Sequence, residues 1–297
     1  MTDHPTKITV ESLDDGIVRI MLNSPENGNS QDIQMIYELD DALMSAARDR
    51  DTRVIILGGN GKHFSAGHDL RAGDFDSVGK DRPLTSNWGD VNPGTIEGWY
   101  GWEREVYFDM CHRWRSLPIP LITQVQGACI AGGLMLTWAS DIVVCAENCF
   151  FQDPVVDIGI GGVEYFAHPW EMGSRQAKEK LFTGERWSAQ EALTWGMVNR
   201  VVPPDELADV TLELARKIAA KPSVGIKFAK EAINSFADAQ GFTTGVKQAF
   251  TLHHLAHAHN RLKYGRLIDP NGVHEAVKRS LPGGKLPRIP ADTVDCD

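Results

Sequence analysis

The chain of 297 residues has no run approaching the roughly 18 apolar residues that a membrane-spanning helix needs, which argues against a membrane-embedded protein. Met1–Val10 is polar and lacks the apolar h-region of a secretory signal peptide. Positive charge is also scarce: 30 Lys and Arg stand against 40 Asp and Glu, a formal net charge of −10. A general nucleic-acid binder needs a basic face to release phosphate counterions, so that class is excluded, while a local basic pocket for a phosphorylated ligand is not. Cysteine is sparse, odd in number and scattered, at Cys111, Cys129, Cys145, Cys149 and Cys296. Cys145-x3-Cys149 has no second ligand pair and makes a poor zinc signature. Buried, reduced thiols in a cytoplasmic protein are the expectation. No internal repeat is visible.

What is present is the pattern of a globular α/β protein, 42% hydrophobic and 24% charged. Ile8–Val10 and Ile17–Leu22 read as two strands joined by Asp14-Asp15-Gly16, a hairpin signal. Asp32–Arg48 carries apolar residues at helical spacing. Val54–Leu57 is a short, wholly apolar, β-branched run, as in a strand buried on both faces. Arg71–Gly101, rich in Gly, Asp, Pro and Trp, has no steady period and reads as a long loop able to cover a pocket. A helix over Trp102–Ser116, stopped by Pro118 and Pro120, is expected next. Leu121–Val125 reads as a strand, Gly132–Ala139 as a helix and Ile142–Cys145 as a strand. Alternation of this kind points to βαβ units and a parallel sheet or spiral. Past Val202-Pro203-Pro204, three helices are predicted over Asp205–Ala220, Val224–Ala237 and Thr244–Lys263, with Ser223 available to cap the second. The division is a core over 1–204, a helical region over 205–281 and a poorly ordered tail over 282–297.

Two segments combine strand, glycine turn and helix. Val54–Leu57 leads to Phe64-Ser65-Ala66-Gly67-His68-Asp69-Leu70, and Leu121–Val125 leads to Gln126-Gly127-Ala128-Cys129-Ile130-Ala131-Gly132-Gly133-Leu134. N–H groups at a helix start are unpaired and lie at the positive end of its dipole. Two of them converging on one oxygen stabilise negative charge that develops there. Glycine turns before helices are common, so the pattern alone is equally that of plain βα connections.

These motifs, with Ala139-Ser140-Asp141-Ile142, Phe151–Gly162, Leu181–Ala192 and Gly196–Pro203 in the same order, resemble the enoyl-CoA hydratase/isomerase (crotonase) superfamily. The likeness runs from about Ile8 to Pro203 and more weakly through the helical end. It implies a spiral of ββα units with a C-terminal helical layer that forms trimers, or hexamers as dimers of trimers. It implies an acyl-CoA thioester whose carbonyl oxygen sits between the backbone N–H groups of His68 and Gly132. Lys62, Phe64, Ala66, His68, Asp69 and Leu70 would lie along coenzyme A, which enters as part of the substrate and not as a separate cofactor. The implied chemistry passes through a thioester enolate.

Hydratases of this family position and split a water with two glutamates. At the corresponding positions stand Met135 and Val155, neither of which exchanges a proton. Two carboxylates are candidates to replace them. Asp157 would share a face with Val155 if both lie in a strand, or else be a loop residue paired at the surface. Glu164 would open a helix after Gly161-Gly162-Val163, one residue beyond the place where some isomerase and dehalogenase relatives carry an aspartate, or else simply favour that helix N-terminus. His168 and Glu171 follow at about i+4 and i+7 and would form a buried relay with it or an exposed face. Asp69 is expected to order its own turn.

His253 and His257 stand one turn apart in Leu252–His259, as metal ligands can. The zincin motif requires Glu directly after its first His, however, and that place is taken by His254, so no metal is expected. Gly58–Lys62 fails as a phosphate loop: no glycine stands five residues before Gly61, and His63 replaces the required Ser or Thr. Trp88, Trp99, Tyr100, Trp102, Tyr107 and Phe108 would pack beneath the loop or wall an apolar acyl pocket. The sequence thus predicts an acyl-CoA enzyme of hydratase or isomerase type. A silent acyl-CoA binder and a carbon–carbon bond hydrolase on the same fold are the alternatives.

Overall fold

The computed structural model describes residues 6–70 and 95–273. In chain order its strands are β1 (Ile8–Leu13), β2 (Ile17–Leu22), β3 (Val54–Gly59), β4 (Leu121–Val125), β5 (Ala128–Ile130), β6 (Ile142–Ala146), β7 (Phe150–Gln152), β8 (Trp187–Ser188) and β9 (Arg200–Val202). Six of them form one sheet in the order β1-β2-β3-β4-β6-β9, and β5-β7-β8 form a second. The predicted hairpin closes through Asp14–Gly16, with Leu13 opposite Ile17 and Asp15 in the left-handed region at φ 64°. Every further pairing in the large sheet is parallel.

The β3 run is buried throughout because the sheet is covered on both faces. Ile55 and Leu57 point into the main core with Ile20, Leu22, Leu121, Val125 and Cys145, beneath α1 (Ile33–Arg48). Ile17, Val54, Ile56, Ile122, Val144 and Ala146 point the other way, onto Leu207, Ala215 and Ala219 of α8 (Leu207–Ala219). The first helix beyond residue 204 therefore completes the sheet's packing. Asp32 caps α1, accepting the Met35 N–H at 2.8 Å, so the helix proper begins at Ile33.

The region expected as loop and then helix differs from the expectation. Residues 71–94 lie outside the described residues, together with Trp88, the tail 282–297 and Cys296. Helix α2 (Ile96–Glu103) starts within the stretch assigned to the loop, capped by the Thr95 hydroxyl, which accepts the Gly98 N–H at 3.0 Å. A π-helical turn, Arg104–Asp109, then joins it to α3 (Met110–Arg115). Glycines 98 and 101 and the aromatic side chains had hidden a helix whose buried face is Trp99, Trp102 and Glu103. The other short helices are α4 (Gly132–Trp138), α5 (His168–Glu171), α6 (Ser174–Thr183) and α7 (Ala189–Trp195).

Two long helices follow α8: α9 (Ser223–Ala239) and α10 (Phe242–Tyr264). Ser223 does not cap α9. Pro222 holds the cap position, and Ser223 is already helical. Lys230 of α9 ties the helical layer to the sheet. Its buried ammonium donates to the Asp141 carboxylate at 2.8 Å and to the Ile119 carbonyl at 3.1 Å. Burial pushes the Asp141 carboxyl up and the Lys230 amine down, so each charge depends on the other. Removing Asp141 strands the ammonium. Asp141→Ala is expected to cost about 2–3 kcal/mol in denaturant unfolding, below the ~3–5 kcal/mol of a fully buried pair because water reaches the Asp141 side. An unchanged midpoint would show that the pair is energetically idle.

Candidate active site

The two glycine turns are stitched together. The Phe64 N–H donates to the Gln126 carbonyl at 2.8 Å and the Ser65 N–H to the Ala128 carbonyl at 3.1 Å; the Ile130 N–H donates back to the Ser65 carbonyl at 3.0 Å. Gly67, at φ 90°, allows the close approach: a Cβ there would stand 2.9 Å from the Ile130 carbonyl oxygen and 3.3 Å from the Gly132 nitrogen. His68 forms a parallel bridge to Gln31 in which its neighbours make the hydrogen bonds, the Gln31 N–H to Gly67 and the Asp69 N–H to Gln31. That leaves the His68 N–H directed away from Gln31. Gly132 is the first residue of α4, and its cap residue Ala131 takes a strained φ of 46°. The Ala131 N–H is held by the Gln152 carbonyl of β7 at 2.9 Å, so the small sheet fixes the turn.

The His68 side chain, which the family pattern leaves unassigned, occupies the centre of the site. A Cβ on Gly132 would stand 2.7 Å from its Cε1. Its ring stacks on Tyr107 with centroids 4.0 Å apart, and its Nε2 lies 3.2 Å from Glu164 Oε2. Glu164 is thus brought beside the glycine turns. It does not open a helix, as the sequence suggested: α5 begins four residues later, and Glu164 is buried in the preceding loop. Burial would push its carboxyl up, but the charges of His68 and His253 and the His68 hydrogen bond hold it below the usual range. Asp153 pins that loop. Its buried carboxylate accepts the Val163 N–H at 3.2 Å and contacts His168 Nε2 at 2.9 Å.

Asp157 is placed elsewhere. Val155–Ile158 is a 3₁₀ turn, not a strand, and Asp157 is exposed, with its carboxylate beside Gly184. His168 is buried on Asp153 and does not relay to Glu164. Glu171 is half-buried, and burial pushes its carboxyl up to about 7 against the pull of Arg115. A folded-state value above the unfolded 4.5 stabilises the protonated fold. That contribution is complete below about pH 4.5 and is lost as pH rises through about 7. Glu171→Gln is expected to flatten the stability–pH curve in this window by at most about 3 kcal/mol, read by thermal unfolding across pH.

Along the first turn, Lys62 and Leu70 are exposed and Ala66 and Asp69 partly so. Phe64 is fully buried, with its amide bonded to Gln126, so its ring belongs to the core and not to a ligand surface. Met135 is buried within α4 and Val155 half-buried in the 3₁₀ turn.

Sequence reasoning singled out His253 and His257 but missed the group they form and its carboxylate, Glu103. Glu103 of α2 is buried among His253, His254 and His257 of α10, whose Nε2 atoms lie 3.4, 3.1 and 3.6 Å from its Oε2. His253 also approaches Glu164 Oε1 at 3.6 Å, joining this cluster to the glycine turns. The aromatic residues pack around it: Trp99 lies against His257 and Tyr100 against His254, with centroids 6.1 and 4.9 Å apart. The helical spacing of the histidines was a signal. Their carboxylate partner, 150 positions earlier in the chain, was not.

The parallel sheet, the small sheet that fixes the second glycine turn and the helical C-terminal region define a crotonase-fold protein. The chain belongs to the enoyl-CoA hydratase/isomerase family, whose model matches residues 12–90 and 96–270. It is 41% identical over 269 residues to EchA13 of Mycobacterium tuberculosis, provisionally described as an enoyl-CoA hydratase, spanning 87% of this chain and 85% of that one. The structure of a probable enoyl-CoA hydratase from Mycobacterium smegmatis superposes with a TM-score of 0.81 at 41% identity, over 89% of this chain and 99% of that one. The 1,2-epoxyphenylacetyl-CoA isomerase of Escherichia coli is 31% identical over 224 residues, 74% of this chain and 79% of its own.

Proposed function

We propose that the protein acts on an acyl-CoA thioester by enolate chemistry, with Glu164 as the proton-transfer group. The observation that carries this reading is the contact between Glu164 and His68, whose ring in turn abuts Gly132. The thioester oxygen would be held by the His68 and Gly132 N–H groups, which lowers the cost of a carbanion beside the carbonyl. Glu164 would take a proton from carbon, the electron pair moving onto that oxygen, and return it at the same or another carbon. We infer that Met135 and Val155 take the places of the hydratase glutamates. One carboxylate beside the hole suits relocation of a proton better than splitting of a water held between two, and this favours isomerisation. Coenzyme A would lie along Lys62, Ala66, Asp69 and Leu70, as part of the substrate. Asp157, exposed, has no part in this scheme.

The test is incubation with short, medium and aromatic enoyl-CoA thioesters in deuterated water, read by mass spectrometry. Deuterium gain without water supports proton relocation. Gain of water would establish hydration instead. Tight binding without any mass change would leave a silent acyl-CoA binder, and failure to bind any thioester would favour a substrate without coenzyme A.

The helical layer supports assembly into trimers or hexamers. Val224, Phe228, Ile233 and Phe236 of α9 are all more than half exposed, an apolar surface that monomers rarely leave uncovered. A monomeric mass in solution would remove this proposal. No helix among the described residues is long and apolar enough to cross a membrane. The free, buried cysteines 111, 129, 145 and 149 accord with a cytoplasmic location, which we propose.

A further inference from the structure

We propose that Glu103, His253 and His257 form a binding site for a divalent first-row transition ion of the zinc type. The inference stands on its own geometry and does not require the acyl-CoA reading.

The carboxylate oxygen and the two imidazole nitrogens all lie within 4.8 Å of one another, and all three residues are buried. His253 and His257 are one turn apart on α10, so both rings leave the same face of the helix. Glu103 comes from the end of α2, directly before the π-helical turn, a local widening often found at functional sites. The Oε2 to Nε2 distances of 3.4 and 3.6 Å match the separation of two donors on one tetrahedral ion, about 3.4 Å for bonds of about 2.1 Å.

The tautomers are fixed from outside. His253 Nδ1 donates to the Gly162 carbonyl at 2.7 Å, and His257 Nδ1 donates to the Leu267 carbonyl at 2.8 Å. A carbonyl only accepts, so each Nδ1 carries a hydrogen, and Nε2 is the nitrogen each ring turns toward Glu103, where a metal ion and a proton compete for the same position. Backbone carbonyls in this position are the usual outer-shell partners of metal-bound histidine. Glu103 Oε2, His253 Nε2 and His257 Nε2 are buried and face one another at ion-pair distance, without the alignment of a close hydrogen bond. One shared ion fits that convergence, in competition with protons on the rings. His254 Nε2, 3.1 Å from the same oxygen, has no carbonyl on its Nδ1 and stands outside the triad. Two nitrogens and one carboxylate make a donor set suited to Zn²⁺, Co²⁺ or Fe²⁺, with coordination positions left open. The Glu164 carboxylate, 3.6 Å from His253 Nε2, is the neighbour of the bound ion.

The test uses the full-length protein, stripped with a chelator and titrated without any thioester. Zn²⁺ is followed by calorimetry and thermal unfolding, and Co²⁺ by its visible d–d absorption. One equivalent of either ion, a raised melting temperature and a Co²⁺ band of low-symmetry N/O coordination are expected. His257→Gln and Glu103→Gln should each weaken binding by more than about 100-fold, the upper end of what losing an outer-shell partner costs. His259→Gln, on an exposed position of the same helix, should leave it unchanged. Absence of stoichiometric binding by the wild-type protein would overturn the proposal, as would binding that survives His257→Gln or is lost with His259→Gln. Should Glu103→Gln fail to fold, the wild-type Co²⁺ spectrum and His257→Gln decide the matter.

Discussion

Glu164→Gln is expected to lower turnover of a confirmed acyl-CoA substrate by about 10²–10⁴-fold, the usual contribution of a positioned acid or base. That is about 2.7–5.5 kcal/mol of transition-state stabilisation. Glutamine keeps the shape of the side chain and its contact with His68, so folding and thioester affinity should change little. The loss should appear in kcat, because a proton in transit is a feature of the transition state and not of the bound ground state. Asp157→Asn is the matched comparison and should leave activity near the wild-type level, since that carboxylate is exposed in a 3₁₀ turn beside Gly184. Turnover unaffected by Glu164→Gln would remove the residue from the mechanism. Activity lost with Asp157→Asn instead would return the role to the other carboxylate.

Gly132→Val should weaken thioester binding and strongly lower turnover while leaving the fold intact. The Cβ would stand 2.7 Å from His68 Cε1 and 2.8 Å from Gln31 Oε1, closer than side-chain atoms tolerate. Neither neighbour is free to give way. The His68 ring is clamped between Tyr107, stacked at 4.0 Å, and Glu164 at 3.2 Å, and Gln31 is buried with its amide nitrogen on the Ser65 hydroxyl at 3.0 Å. The turn must therefore move, and the Gly132 N–H moves with it. Loss of one such donor costs about 10²–10³-fold in kcat, about 2.7–4 kcal/mol. Gly161→Ala is the control, because a Cβ there meets nothing within 4 Å. Thioester affinity retained in Gly132→Val, with an unaltered circular dichroism spectrum, would show that the carbonyl is held elsewhere.

Much of the architecture was legible in the chain because it is set by local rules. The β3 run is apolar at every position because helices cover both faces of the sheet, and the Asp14–Gly16 turn signals its hairpin through a residue in the left-handed region. The glycine turns were recognisable because backbone contact at Gly67 and side-chain contact at Gly132 exclude a Cβ, a constraint that residue type records directly. The helix over Ile96–Glu103 was not legible. Glycine and tryptophan weaken a helical pattern read from propensity, and here burial of Trp99 and Trp102 outweighs it.

The residues that meet at the site divide in the same way. Sequence determined an α/β protein with two glycine turns whose motifs resemble an acyl-CoA family, and it nominated Glu164 from its place after Gly161-Gly162-Val163. Only the tertiary structure decided that Glu164 is buried against His68 while Asp157 faces solvent. Only there do Glu103 of α2 and the histidines of α10 come together. Backbone conformation and amphipathic spacing are properties of neighbours along the chain, and a sequence displays them. Convergence of side chains 150 positions apart depends on how helices cross over the sheet, and no local pattern encodes that.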